Sequence, residues 1–158
     1  MNPKQSIIYL TLEAPREGQA SYTHVWEICK GLERIGYEVR VFAPSYAQKK
    51  ASPGLIVRLF YMLWVQTQLW AGWRRGAVLY VRGHYMAFPS AVIAKLFRIP
   101  VFHEINGPYE DVFVAHPILN HLRGVLIPMQ RMQYRWATGL IAVTQALVDW
   151  TMAEAEHD

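Results

Sequence analysis

A chain of 158 residues with 53% hydrophobic and 13% aromatic residues can bury the core of one domain spanning residues 1–158, which excludes a disordered chain. Its single cysteine, Cys29, excludes an internal disulfide and fits a reducing compartment. The formal charge of +4 is unevenly spread: no acid lies between Glu38 and Glu104, where nine cations do, and a second acid-free run extends from Val112 to Val148. Such one-signed stretches suit an anionic partner, whether a membrane surface, a phosphorylated ligand or nucleic acid, or else form a basic solvated face.

In chain order, Ile7 to Leu12 is an apolar run that reads as a strand buried on both faces of a parallel sheet. A loop from Glu13 to Ser21 follows, with Gly18 its only glycine. Ser21 or Thr23 is the expected cap of a helix that runs to about Ile35 and stops at Gly36. Cys29 sits beside that helix's apolar stripe of Val25, Ile28, Leu32 and Ile35, as a packed thiol rather than a nucleophile. Glu38 to Phe42 is the second strand, closed by Pro44.

The polar link SYAQKKASPG leads into a Trp-rich helix over residues 55–73, which Gly76 closes. Its length suffices to cross a bilayer, but Arg58, Gln66 and Gln68 favour a buried or interface-lying helix. Ala77 to Val81 is the third strand and delivers Arg82, Gly83 and His84 to its end. A helix from about Phe88 to Phe97 precedes the fourth strand, VFHEI, which ends in the turn Asn106-Gly107-Pro108. The segment from about Ile118 to Trp136 reads as a helix kinked or divided at Pro128. Gly139 to Val143 is the fifth strand, and Thr144 caps a last helix. No secretory signal, internal repeat or low-complexity segment is apparent.

Five strands alternating with helices predict an α/β fold: a single Rossmann-like, doubly wound parallel sheet. The expected order is 3-2-1-4-5, with the switch point between strands one and four. A ligand is then expected at the strand carboxyl ends, among the Gly18 loop, the Arg82 turn and the Asn106 turn.

A dinucleotide fingerprint needs three glycines at G-x-G-x-x-G, and only Gly18 is present. There is no P-loop, no zinc-type histidine pair and no G-x-S-x-G elbow. What remains resembles the N-terminal domain of GT-B glycosyltransferases of family 4. THVWEICKGLERIGYEVRVFAP is similar to that family's first helix and second strand. RIPVFHEINGP is similar to its fourth-strand segment, and ATGLIAVTQALVDW to its strand-to-helix segment before the domain linker.

The resemblance implies half of a GT-B architecture: an acceptor-side domain that closes over a nucleotide-sugar donor held by a second Rossmann-like domain or subunit. It implies a retaining transfer to a hydroxyl acceptor, a glycan or a lipid-linked one, with no metal and no cofactor beyond the donor as co-substrate. On that reading the chain stops before the remaining strands and the donor domain, and alone is expected to be inactive. The family's loop after strand one approaches the donor phosphates or the acceptor, and here it corresponds to Gly18, Gln19, Ala20 and Ser21. The family often has two glycines there, whereas Gln19 follows Gly18 in this chain.

At the end of strand four the family frequently carries a histidine that touches the transferred sugar. Some members resemble this chain in having asparagine, here Asn106 followed by Gly107. An amide orients sugar hydroxyls but is no general base, and Asn106 can equally cap its own turn. His103 and Glu104 lie on opposite faces of one strand, so at most one points into a pocket. A buried Glu104 needs a partner, for which Arg82 is the candidate, although Arg82 can instead contact an anionic acceptor. His84 and His24 read first as structural histidines, with His84 retained as a site candidate. Glu110 and Asp111 are placed to position an acceptor hydroxyl. No residue is assigned as catalytic base.

On the family reading the basic runs fit a cytoplasmic enzyme peripheral to the inner face of an anionic membrane. Trp64, Trp70 and Trp73 with Arg58, Arg74 and Arg75 have the composition of a membrane-surface helix, or of a core-packing one. The alternative function is a non-enzymatic scaffold that recruits a catalytic partner to a membrane. Nucleic acid is not expected as a partner, because no recognisable motif for it is present.

Overall fold

The computed structural model describes residues 5–14, 17–48 and 53–156. Its five strands form a parallel α/β sheet in the order β2-β1-β3-β4-β5. The chain divides into two compact units, one ending at Tyr80 and one beginning at Val81.

In the first unit, β1 (Ser6–Leu10) is an apolar run buried from Ile7 to Leu10. It pairs with β2 (Glu38–Phe42) in parallel register from Ser6 with Glu38 to Leu10 with Phe42. Between them runs α1 (Ala20–Arg34), which buries Val25 and Cys29, four residues apart on one face. Gly36 ends it at φ 102°, where Gly36 N–H donates to Glu33 O and Tyr37 N–H to Leu32 O. That pair of bonds is the Schellman closure, which needs a residue at positive φ.

The start of α1 differs from expectation. Ser21 and Thr23 lie inside the helix, and its N-cap is Gln19, whose side chain makes no capping bond. Gly18, at φ 85°, turns the chain directly before Gln19, so winding begins ahead of either hydroxyl.

Helix α2 (Leu55–Ala71) buries Met62, Val65, Gln66 and Leu69 on one face. Its end is tied to β2, because Arg40 Nη1 donates to Gly72 O at 2.9 Å. No helix among the described residues is long and apolar enough to cross a membrane. Strand β3 (Val78–Arg82) follows, and Tyr80 stacks on Tyr9 of β1 with ring centroids 4.9 Å apart.

The place of β3 corrects the expected 3-2-1-4-5 order, since β3 lies beside β1 rather than outside β2. Right-handed crossovers permit both arrangements. A helix of 17 residues, about 25 Å long, reaches across one strand spacing or two, so nothing in its apolar period chooses between them. The order therefore reverses between β1 and β3, not between β1 and β4.

In the second unit, β4 (Val101–Ile105) pairs in parallel with β5 (Gly139–Ala142), starting at Phe102 opposite Gly139. A Cβ on Gly139 would lie 2.8 Å from the Phe102 ring, so any larger residue there displaces that ring. Around these strands pack α3 (Phe88–Leu96), α4 (Asp111–Ala115), α5 (Arg123–Trp136) and α6 (Gln145–Glu156). Thr144 caps α6 as expected, its Oγ1 accepting from Leu147 N–H at 3.2 Å.

The short helix α4 was not legible in the sequence. Nor does Pro128 divide the long basic helix: it sits within α5 on the solvent side. The division falls at Leu122–Arg123, where a 3-10 stretch opened by Pro117 gives way to α-helical winding. Tyr85, Ile105, Tyr109, Phe113, Tyr134 and Leu147 form the core of this unit.

Candidate active site

The second unit brings Arg82, His84, Glu104, Asn106 and Gly107 into the turns that leave β3 and β4. Arg82 is the last residue of β3, and alternation along β4 turns Glu104 towards it. Arg82 Nη1 donates to Glu104 Oε1 at 2.9 Å, and both side chains are buried. Asn106 Nδ2 donates to the same oxygen at 2.7 Å. The partner that a buried carboxylate requires is thus present, and Glu104 is held as a hydrogen-bonded anion.

Backbone contacts fix the two turns together. Gly83 N–H donates to Glu104 O at 2.8 Å, and a Cβ at Gly83 would lie 3.1 Å from that oxygen. His84 Nδ1 accepts from Met86 N–H at 3.1 Å, which puts the ring in the neutral tautomer with its proton on Nε2. Asn106 itself is exposed beyond the buried pair. Its Nδ2 is committed inward, and its amide oxygen is the acceptor that it can present to a hydroxyl. Asp111 approaches Gly107, with Oδ2 3.4 Å from where a Cβ would stand.

Behind these turns lies a polar layer that the sequence reading missed. Tyr85 OH donates to Tyr109 O at 2.6 Å. Tyr109 OH hydrogen-bonds Glu154 of α6, whose carboxylate also accepts from Arg131 Nε at 2.8 Å. Gln133 Nε2 reaches Tyr85 O at 3.4 Å. Burial first, then the Glu110 carboxylate, pushes the Tyr85 hydroxyl up, and burial does the same to Tyr109 and Tyr134. All three stay protonated. The layer ties the turn after β3 to the turn after β4 and both to α5 and α6. One signal was available, because Tyr85 and Tyr109 each stand three residues beyond a candidate, Arg82 and Asn106.

His103 points elsewhere. It is fully buried, with neither ring nitrogen hydrogen-bonded, and it meets the Tyr134 ring in a T-shaped arrangement with ring centroids 6.4 Å apart. Burial lowers its pKa to about 4.

Gly18, Gln19 and Ser21 belong to the unit ending at Tyr80. Gly18 is exposed, and a Cβ there would meet nothing within 4 Å. Its positive φ, rather than a close approach of other atoms, is what requires glycine. Gln19 and Ser21 stand at the cap and first turn of α1, and His24 is half-buried one turn further on. Among the described residues no group of three His, Cys, Asp or Glu side chains is arranged to hold a metal ion.

A parallel α/β sheet with polar side chains gathered where its strands end is the architecture of a Rossmann-like ligand-binding domain. The model of Glycosyltransferase Family 4 matches residues 22–155, and the chain belongs to that family. No curated protein and no solved structure matches the chain.

Proposed function

We propose that this domain is the acceptor-binding half of a retaining GT-B glycosyltransferase, which moves a sugar from a nucleotide-sugar donor to a hydroxyl of a glycan or lipid-linked acceptor. A second Rossmann-like domain or subunit holds the donor, and leaving-group charge is balanced there by cations and helix dipoles. The observation that carries the reading is the Arg82–Glu104–Asn106 cluster in a chain of this family. With Glu104 committed to two donors, the cluster orients a hydroxyl through Asn106 and supplies no general base. The uncapped start of α1 after Gly18 supports a role for Gly18, Gln19 and Ser21 near the donor phosphates.

The test is transfer by the enzyme that carries this domain, followed by proton NMR with nucleotide sugars and alkyl glycosides. The product is expected to keep the donor's anomeric configuration, and Asn106→Ala to lower kcat/KM by about 10² with circular dichroism unchanged. An inverted product, or an Asn106→Ala enzyme as active as the wild type, would contradict the proposal. Absence of transfer with every donor would favour a scaffold instead.

A further inference from the structure

The acid-free run from Val112 to Val148 carries Arg123, Arg131 and Arg135, and the fold uses them differently. Arg131 Nε donates to Glu154 at 2.8 Å, and Arg135 Nε donates to Ala155 O at 2.9 Å. Both are thereby turned onto the last turn of α6, where cations complement the helix dipole. Arg123 has no such role. It is exposed, it joins none of the ion pairs among the described residues, and it stands in the first turn of α5, where a cation gains nothing from the helix.

What holds Arg123 is an aromatic ring, because its guanidinium carbon lies 5.2 Å from the centroid of Phe113. Phe113 is buried and packs on Tyr85 with ring centroids 6.0 Å apart, and Tyr85 OH donates to Tyr109 O. Arg123 is therefore seated on the layer that ties the turn after β3 to the turn after β4. Burial and then Glu110 push the Tyr85 hydroxyl up while Arg123 opposes them, so both charges are felt at that hydroxyl.

A planar guanidinium held in this way donates to carboxylate or phosphate oxygens. The other candidate for an anionic acceptor, Arg82, is buried and gives its Nη1 to Glu104. Glu110 and Asp111 lie in the turn that carries Asn106, and Glu110 Oε2 is buried rather than paired with Arg123. Two carboxylates beside Asn106 repel an anion from it. An acceptor bearing a hydroxyl and an anionic group is thus oriented one way round, hydroxyl at Asn106 and anion at Arg123.

We infer that Arg123 binds the anionic group, a carboxylate or a phosphate, of an acidic sugar acceptor and selects the acceptor for that charge. The inference rests on the transferase reading for the presence of a sugar. Its test is binding without donor, whereas that reading is judged by the product of transfer, so either can fail alone.

The probes are methyl glucosides and methyl galactosides, each neutral, as the 6-uronate and as the 6-phosphate, followed by backbone amide NMR of the full chain. In at least one series an anionic member is expected to bind about tenfold more tightly than its neutral parent, with the gap narrowing as salt rises. Its shifts are expected at Phe113 and Arg123 together with Glu104–Gly107. Whether the uronate or the phosphate is preferred names the source of the anion. Arg123→Gln is expected to bring the anionic member down to the affinity of its neutral parent with circular dichroism unchanged, and Arg123→Lys to keep part of the preference. A merely structural arginine would weaken neutral and anionic members alike. Equal affinity for both, a preference that survives Arg123→Gln, or binding by no member would overturn the inference. So would acetate or inorganic phosphate shifting the same amides at the same concentrations, because the site would then read an anion and no sugar.

Discussion

Replacing Arg82 by alanine is expected to destabilise the domain by about 3–5 kcal/mol, among the largest effects available from one substitution. The reason is the charge left behind. Glu104 is 2% exposed at its side chain, and the Arg82 guanidinium donates to it at 2.9 Å. Asn106 continues to donate to Oε1 but brings no positive charge. Removing both ends of the pair is a different experiment. Arg82→Met with Glu104→Leu leaves no orphaned charge and is expected to recover most of the loss. Urea unfolding of the two single variants and the double variant measures the coupling directly. A single Arg82→Ala variant as stable as the wild type would show that the carboxylate finds water or another donor. The pair would then not be what holds the ends of β3 and β4.

The second large effect is a stability that falls as the solution is made mildly acid. His103 stays neutral in the fold down to about pH 4, whereas the unfolded ring takes a proton near 6.5. Between those values the unfolded state binds more protons, so stability rises with pH. The contribution is full above about pH 6.5, is lost as pH falls through the window, and is flat again below about 4. At about 1.4 kcal/mol per pH unit the loss amounts to about 3 kcal/mol.

His103→Phe keeps a ring against Tyr134 and removes both unpaired nitrogens. Its stability is expected to lack this slope and to exceed the wild type's increasingly towards pH 4. Carboxylates contribute equally to both proteins, so the difference between their urea midpoints isolates the imidazole. Identical pH profiles would mean that His103 becomes protonated in place.

Much of this fold could be read from local punctuation. β2 and β4 have the expected bounds because Pro44, Pro100 and the Asn106-Gly107-Pro108 turn bracket them. Thr144 was legible as a cap because a hydroxyl stood directly before an apolar run. The position of β3 was not legible, since the same crossover helix serves either side of β1. The N-cap of α1 was missed because the backbone at Gly18, not a hydroxyl, decides where winding starts.

The site divides along similar lines. The Arg82–Glu104 pair follows from a buried carboxylate's need for a cation within reach. The Tyr85–Tyr109–Glu154–Arg131 layer joins residues up to 45 positions apart, and no spacing rule connects them. His103 was recognised as facing away from Glu104, but that both its nitrogens would lie unpartnered depends on packing that the alternation of a strand does not specify.

The central claim is that a sugar acceptor is held by the turns after β3 and β4. The most direct measurement is a backbone amide NMR titration of this chain with alkyl glycosides, each with and without a nucleotide sugar. Shifts concentrated at Arg82–His84 and Glu104–Gly107, and lost in Asn106→Ala while the rest of the spectrum is unchanged, are the predicted result. Saturable shifts confined to other elements, or binding that Asn106→Ala leaves intact, would contradict it.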